Sequence, residues 1–113
     1  MVKEIDRHGT VSRYKKSMLQ MKVKQMQSLK SYASVANQLV INTPEGQYFQ
    51  SYDSIIVFRP FNSGENNKVI LDEQYWDYSR TTSKYRNAFM NEDTKETKRK
   101  IKEGVYILGN LNA

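Results

Sequence analysis

Tyr75-Trp76-Asp77-Tyr78-Ser79-Arg80-Thr81-Thr82-Ser83-Lys84-Tyr85-Arg86-Asn87-Ala88-Phe89 runs from an aromatic, strand-like segment through a hydroxyl-rich corner into a short basic helix. Thr81 and Thr82 stand where a helix N-cap belongs, because their side-chain oxygens can accept the N–H groups of a first turn. Tyr85, Ala88 and Phe89 follow at i, i+3 and i+4 on one apolar face, while Arg80 and Lys84 stand four apart on another. Trp76, the single Trp, sits just upstream, where a large ring can anchor the corner to a core. A strand leading into an amphipathic helix predicts an α+β fold.

Downstream, Asp93 with Glu96 three residues on makes a capping-box-like start for a second helix that ends at Gly104. Lys98, Arg99, Lys100 and Lys102 fall near its C-terminus, where the helix dipole favours cations. Its one apolar residue, Ile101, predicts a surface helix. Val105-Tyr106-Ile107-Leu108 then reads as a last strand.

Upstream, the middle of the chain reads as antiparallel sheet. Residues 38–42 are β-rich and stop at Thr43-Pro44-Glu45-Gly46, with Pro and Gly at turn positions. Strands are predicted at 47–52, at 55–59 (halted by Pro60) and at 68–72, with hairpin-length connections. Residues 1–13 read as a loose basic arm and 14–113 as a single domain. Between them, Leu19, Val23, Met26, Leu29 and Ala33 give a helical face, yet residues 19–24 alternate and would suit an edge strand. Helix is the favoured reading for 14–30. The whole is then an antiparallel sheet of about four or five strands covered by two C-terminal helices (near 81–90 and 94–103), with a basic N-terminal helix or arm. Its expected core is Tyr48, Phe49, Ile55, Val57, Val69, Leu71, Trp76, Phe89, Ile101 and Ile107.

At 113 residues the chain supports one modest core. No apolar run approaches the ~20 residues that cross a bilayer. No leader pattern is visible, so a cytoplasmic location in a host cell and no membrane partner are expected. The absence of cysteine excludes disulfides and thiolate chemistry. The net charge of +6 is unevenly placed. Residues 1–38 carry eight Lys/Arg against two Asp/Glu, residues 39–77 two against six, and residues 78–113 eight against four. Basic ends around an acidic middle make a polarised molecule suited to a polyanionic partner.

Ser51-Tyr52-Asp53-Ser54-Ile55-Ile56-Val57 and the stretch Tyr78-Ser79-Arg80-Thr81-Thr82 leading to Tyr85-Arg86-Asn87-Ala88-Phe89 together resemble a small domain of unknown function recurrent in bacteriophage proteins. The resemblance covers roughly residues 29–111. It rests on a Ser-Tyr-x-Ser hairpin and a Tyr-Ser-x-Thr-Thr helix start. The chain departs at Val57, where Ala is the family's habit, and at Tyr85, where His is common. The resemblance implies a phage or mobile-element origin and transfers no functional residue. The Tyr of the hairpin motif is expected to pack inward.

Catalytic signatures are sparse. His8, the single histidine, has no evident partner, and no phosphate-binding glycine loop, dinucleotide turn or His-based zinc motif occurs, so no enzyme activity, cofactor or metal site is expected. Asp72, Glu73 and Asp77 form an acidic cluster better read as a solvated strand end than as a Mg²⁺ site. The stronger expectation is nucleic acid held by Arg13, Lys15, Lys16, Lys22 and Lys24 on one side and Arg80, Lys84, Lys98, Arg99 and Lys102 on the other. Thr81, Thr82 and Ser83 could receive a phosphate at the helix start, and Tyr14 and Tyr85 could stack on bases. The alternative is a protein-binding inhibitor of a host defence or transcription complex, so the partner is nucleic acid or a nucleic-acid-handling host protein.

Overall fold

In the computed structural model, which describes residues 22–27 and 34–113, Thr43-Pro44-Glu45-Gly46 makes the turn its composition predicts. Thr43 Oγ1 accepts from the backbone N–H of Glu45 and of Gly46, at 3.3 and 3.2 Å. The turn joins β2 (Ser34–Asn42) to β3 (Gly46–Ser51), and Tyr52-Asp53 reverses the chain into β4 (Ser54–Pro60). Gly46 is a matter of space, since a Cβ there would run into the Arg59 carbonyl oxygen across the β3–β4 pair.

β1 (Lys22–Gln27) pairs antiparallel with β2 at one edge, and β5 (Val69–Asp72) pairs antiparallel with β4. β6 (Tyr106–Gly109) closes the other edge by pairing parallel with β5. A parallel partner needs a long crossover, and residues 73–105 supply one with two helices, α1 (Arg80–Met90) and α2 (Thr94–Lys102). Strand order in the sheet follows chain order throughout.

Both helices lie on one face. Register sets Phe49 beside Val57 and Val57 beside Leu71, a row buried on three adjacent strands. Phe89 of α1 stacks on Phe49 with ring centroids 5.7 Å apart, and Tyr85, Met90 and Tyr106 complete the cluster. Burying side chains of this size is worth roughly 1.5–3 kcal/mol each, which is what fixes α1 to the sheet. α2 begins at the expected cap, with Asp93 Oδ1 accepting from the Glu96 N–H at 2.8 Å. It ends as expected beside Gly104, which takes the left-handed conformation at φ 79°.

The structure corrects several expectations. Residues 22–27 are strand, so the helix expected over 14–30 does not hold there; its remaining residues, and the arm at 1–13, lie outside the described residues. The alternating pattern was the informative one, because β1 is an edge strand that buries little. The sheet has six strands and is mixed, where four or five antiparallel ones were expected. Within β4 the register shifts opposite Phe49 and Gln50, so Ile56 is inserted and turns inward beside Val57. Ile55 thereby moves to the other face. Tyr48, Trp76 and Ile101 are only half-buried, and Ile107 is 43% exposed. Val40, Ile56, Tyr85, Met90 and Tyr106 take their places in the core.

Candidate nucleic-acid interface

The hydroxyl corner is built inward. Ser79, not Thr81 or Thr82, is the N-cap of α1, and its Oγ accepts from the Thr82 N–H at 3.1 Å. That places Thr82 on the buried face of the first turn, where its hydroxyl meets the Ser51 hydroxyl at 2.7 Å. Ser83 Oγ donates to Asp77 Oδ1 at 2.6 Å. Of the three residues expected to receive a phosphate, only Thr81 is exposed, and the Asp77 carboxylate beside this helix start would oppose an anion. Tyr85, expected to stack on bases, is buried in the core. Tyr14 lies outside the described residues.

The acidic cluster disperses in the same way. Asp72 is buried, with Oδ2 accepting from the backbone N–H of Gln74 and Tyr75 and Oδ1 from Leu111. Burial alone would raise its pKa, but the N–H groups of Leu111, Tyr75 and Gln74 and the Asn112 side chain outweigh it and hold the carboxyl below its ordinary value. Among the described residues no three His, Asp or Glu side chains gather closely enough to hold a metal ion.

Cations sort into paired and unpaired sets. Arg86 is fully buried and donates to Trp76 O (2.5 Å), Asp77 Oδ1 (3.1 Å), Asn87 Oδ1 (2.9 Å) and Thr94 Oγ1 (2.7 Å). It ties the helix entry to the start of α2 and is unavailable to a ligand. Arg59 is likewise committed: Nη1 donates to the Phe89 carbonyl at 2.7 Å and Nη2 to Gln47 Oε1 at 2.8 Å. Lys100 Nζ donates to Glu92 Oε1 at 2.7 Å, a bond that holds its pKa above the ordinary lysine value. Arg99, one of the expected contacts, bridges Glu96 and Glu103, both at 2.6 Å. Its charge is spent within α2.

What remains is a stripe. Lys95, Lys98 and Lys102 follow at i, i+3 and i+7 on the exposed side of α2, opposite buried Thr97, and make no ion pair among the described residues. Arg80 and Lys84 are exposed in the same way on α1. Lys24 joins them on the helix-bearing side, because register sets it beside Val40 of the core. Lys22 lies in β1 opposite Asn42, and Arg13, Lys15 and Lys16 lie outside the described residues. Lys95 was missed in the sequence. Its spacing to Lys98 and Lys102 was legible, but only the pairing of Arg99 shows which α2 cations stay uncompensated.

Residues 21–104 match the model of a family of unknown function (DUF8033), and the chain belongs to that family. No curated protein and no solved structure matches the chain.

Proposed function

We propose that the protein binds nucleic acid through its helix-bearing face, without catalysis, as a small phage-type accessory protein of the host cytoplasm. The observation that carries this reading is the set of Arg80, Lys84, Lys95, Lys98 and Lys102: exposed, and unpaired among the described residues, while neighbouring cations are internally neutralised. Lys24 extends the surface, and Arg13, Lys15, Lys16 and Lys22 are proposed as further phosphate contacts on their charge alone. Side chains of this kind contact phosphates and carry little base information, so sequence preference is weak.

Fluorescence anisotropy with a mixed-sequence DNA duplex at several salt concentrations tests the reading. If the five helix cations each neutralise one phosphate, log K falls against log salt with a slope of up to about −4.5. Absence of binding at low salt removes the nucleic-acid reading. The same face would then serve an acidic surface on a host defence or transcription protein, a partner retained from lysate after nuclease treatment.

A further inference from the structure

Strand alternation gives the sheet a second face, turned away from the helices, and its central row is apolar from edge to edge. Register sets Val23 beside Ile41, Ile41 beside Tyr48, Tyr48 beside Phe58, Phe58 beside Ile70 and Ile70 beside Ile107. Among the described residues the row is open at its two ends, where Val23 is 54% exposed and Ile107 43%, and Ile41, Tyr48, Phe58 and Ile70 between them are half-buried. Among strand positions of this face with described side chains, Asp72 alone is charged, and it is buried and bonded to backbone. A half-solvated antiparallel sheet ordinarily turns polar side chains to water. Six apolar residues in register mark a contact surface instead.

We propose that this face docks against the same face of a second copy of the chain, forming a two-fold dimer with the helices outward. Charge selects the occupant. A protein of net charge +6 repels its own copy wherever basic residues meet, and the apolar face carries no exposed charge among its described strand positions. An acidic partner finds no cation there to pair with, and a single nucleic-acid strand finds no counter-charge for its phosphates. An uncharged row laid on its own copy satisfies the self-complementarity that a two-fold interface demands.

Size agrees. Six strands about 4.8 Å apart and some six residues long give a plane of about 24 by 20 Å. Two such faces together bury on the order of 1,000 Å² or more, where specific interfaces begin. Tyr48 and Phe58, with ring centroids 4.6 Å apart, stand in mid-row, the place where aromatic anchors contribute most to an interface. The result is a β-sandwich across the two-fold axis, with a basic helical layer on each outer side.

Sedimentation velocity of the full chain, free of nucleic acid, from low micromolar to near millimolar concentration tests this. The expected result is a concentration-dependent shift from 13.3 kDa to twice that mass. Val23→Lys with Ile107→Lys puts charge on two residues already open to water, so the fold, checked by circular dichroism, is retained while the dissociation constant rises about tenfold or more. In the wild type, isotope-filtered nuclear Overhauser spectra of mixed labelled and unlabelled chains are expected to connect the Phe58 ring to the other copy. A monomer at every concentration overturns the proposal, whether residues 1–21 or nothing at all covers the face. So does a dimer that the folded double variant leaves unchanged, or one without contacts from Phe58 between copies.

Discussion

Phe49 and Phe58 lie on neighbouring strands of one sheet and meet opposite environments. Phe49 faces the helices, fully buried and stacked on Phe89. Phe58 faces away from them, half-buried, with the Tyr48 ring tilted against it at 38°. The covered face also carries polar locks, the Ser51–Thr82 hydroxyl pair and the run Asn42–Gln47–Arg59 that ends on the Phe89 carbonyl. Among the described residues the open row has none. Stability is therefore concentrated on one face of the sheet, and the other is available for association. Phe49→Ala is expected to cost about 3–5 kcal/mol, as large core truncations do. Phe58→Ala, measured by urea unfolding at a concentration that keeps the chain monomeric, is expected to cost no more than about 2 kcal/mol. Equal losses would erase the distinction between the faces.

Asp72 sharpens the comparison from the end of the sheet, because it is a carboxylate of the open face held by the backbone N–H groups of Gln74, Tyr75 and Leu111 and by the Asn112 side chain. Asp72→Asn leaves one or two buried N–H groups facing an amide and is expected to cost about 2 kcal/mol at neutral pH. Its folded pKa is lowered from the ordinary value. The stabilisation is therefore complete above the unfolded pKa of about 4 and is lost as pH falls through the folded one. Unfolding free energies measured from pH 7 to pH 2 are expected to converge for wild type and variant on the acid side. A constant gap would mean that the carboxylate's charge contributes nothing.

The sequence carried much of this in short range and less of it in long range. The Thr43–Gly46 turn, the Asp93 cap and the Gly104 stop were legible because each is chemistry within a few residues. β1 was misread because Leu19, Val23 and Met26 satisfy helical spacing as well as alternation, and only pairing with β2 decides between them. Ile56 was passed over because a bulge shifts the inward positions of β4 by one residue. The parallel edge depends on what residues 73–105 do in space, which periodicity does not record. At the candidate interface the charges were legible and their pairing was not: Arg99 looked as available as Lys98 until Glu96 and Glu103 closed on it.

Thr82 gives a smaller and more specific test. The Ser-Tyr-x-Ser hairpin and the Tyr-Ser-x-Thr-Thr helix start meet in space through Ser51 and Thr82, so these motif residues hold the fold together. Tyr52 of the hairpin is 45% exposed, contrary to the expected inward packing, and its φ of 56° belongs to the reversal. Thr82→Val, close in shape and lacking the hydroxyl, strands Ser51 and is expected to cost about 1–2 kcal/mol. Adding Ser51→Ala is expected to recover part of that loss in a double-mutant cycle. Strict additivity would show that the two hydroxyls do not couple.

The most direct measurement is the salt dependence of duplex DNA binding for wild type, for Lys95→Gln/Lys98→Gln/Lys102→Gln and for Arg99→Gln. Each neutralised phosphate contributes about 0.9 to the log–log slope. The triple variant is expected to flatten the slope by up to about 2.7. Arg99→Gln also removes one formal charge but breaks only exposed ion pairs, which are worth little, and is expected to leave the slope almost unchanged. A triple variant that keeps the wild-type slope, or an Arg99 variant that flattens it as much as a single lysine change, would contradict the assignment of nucleic-acid binding to the unpaired helix cations.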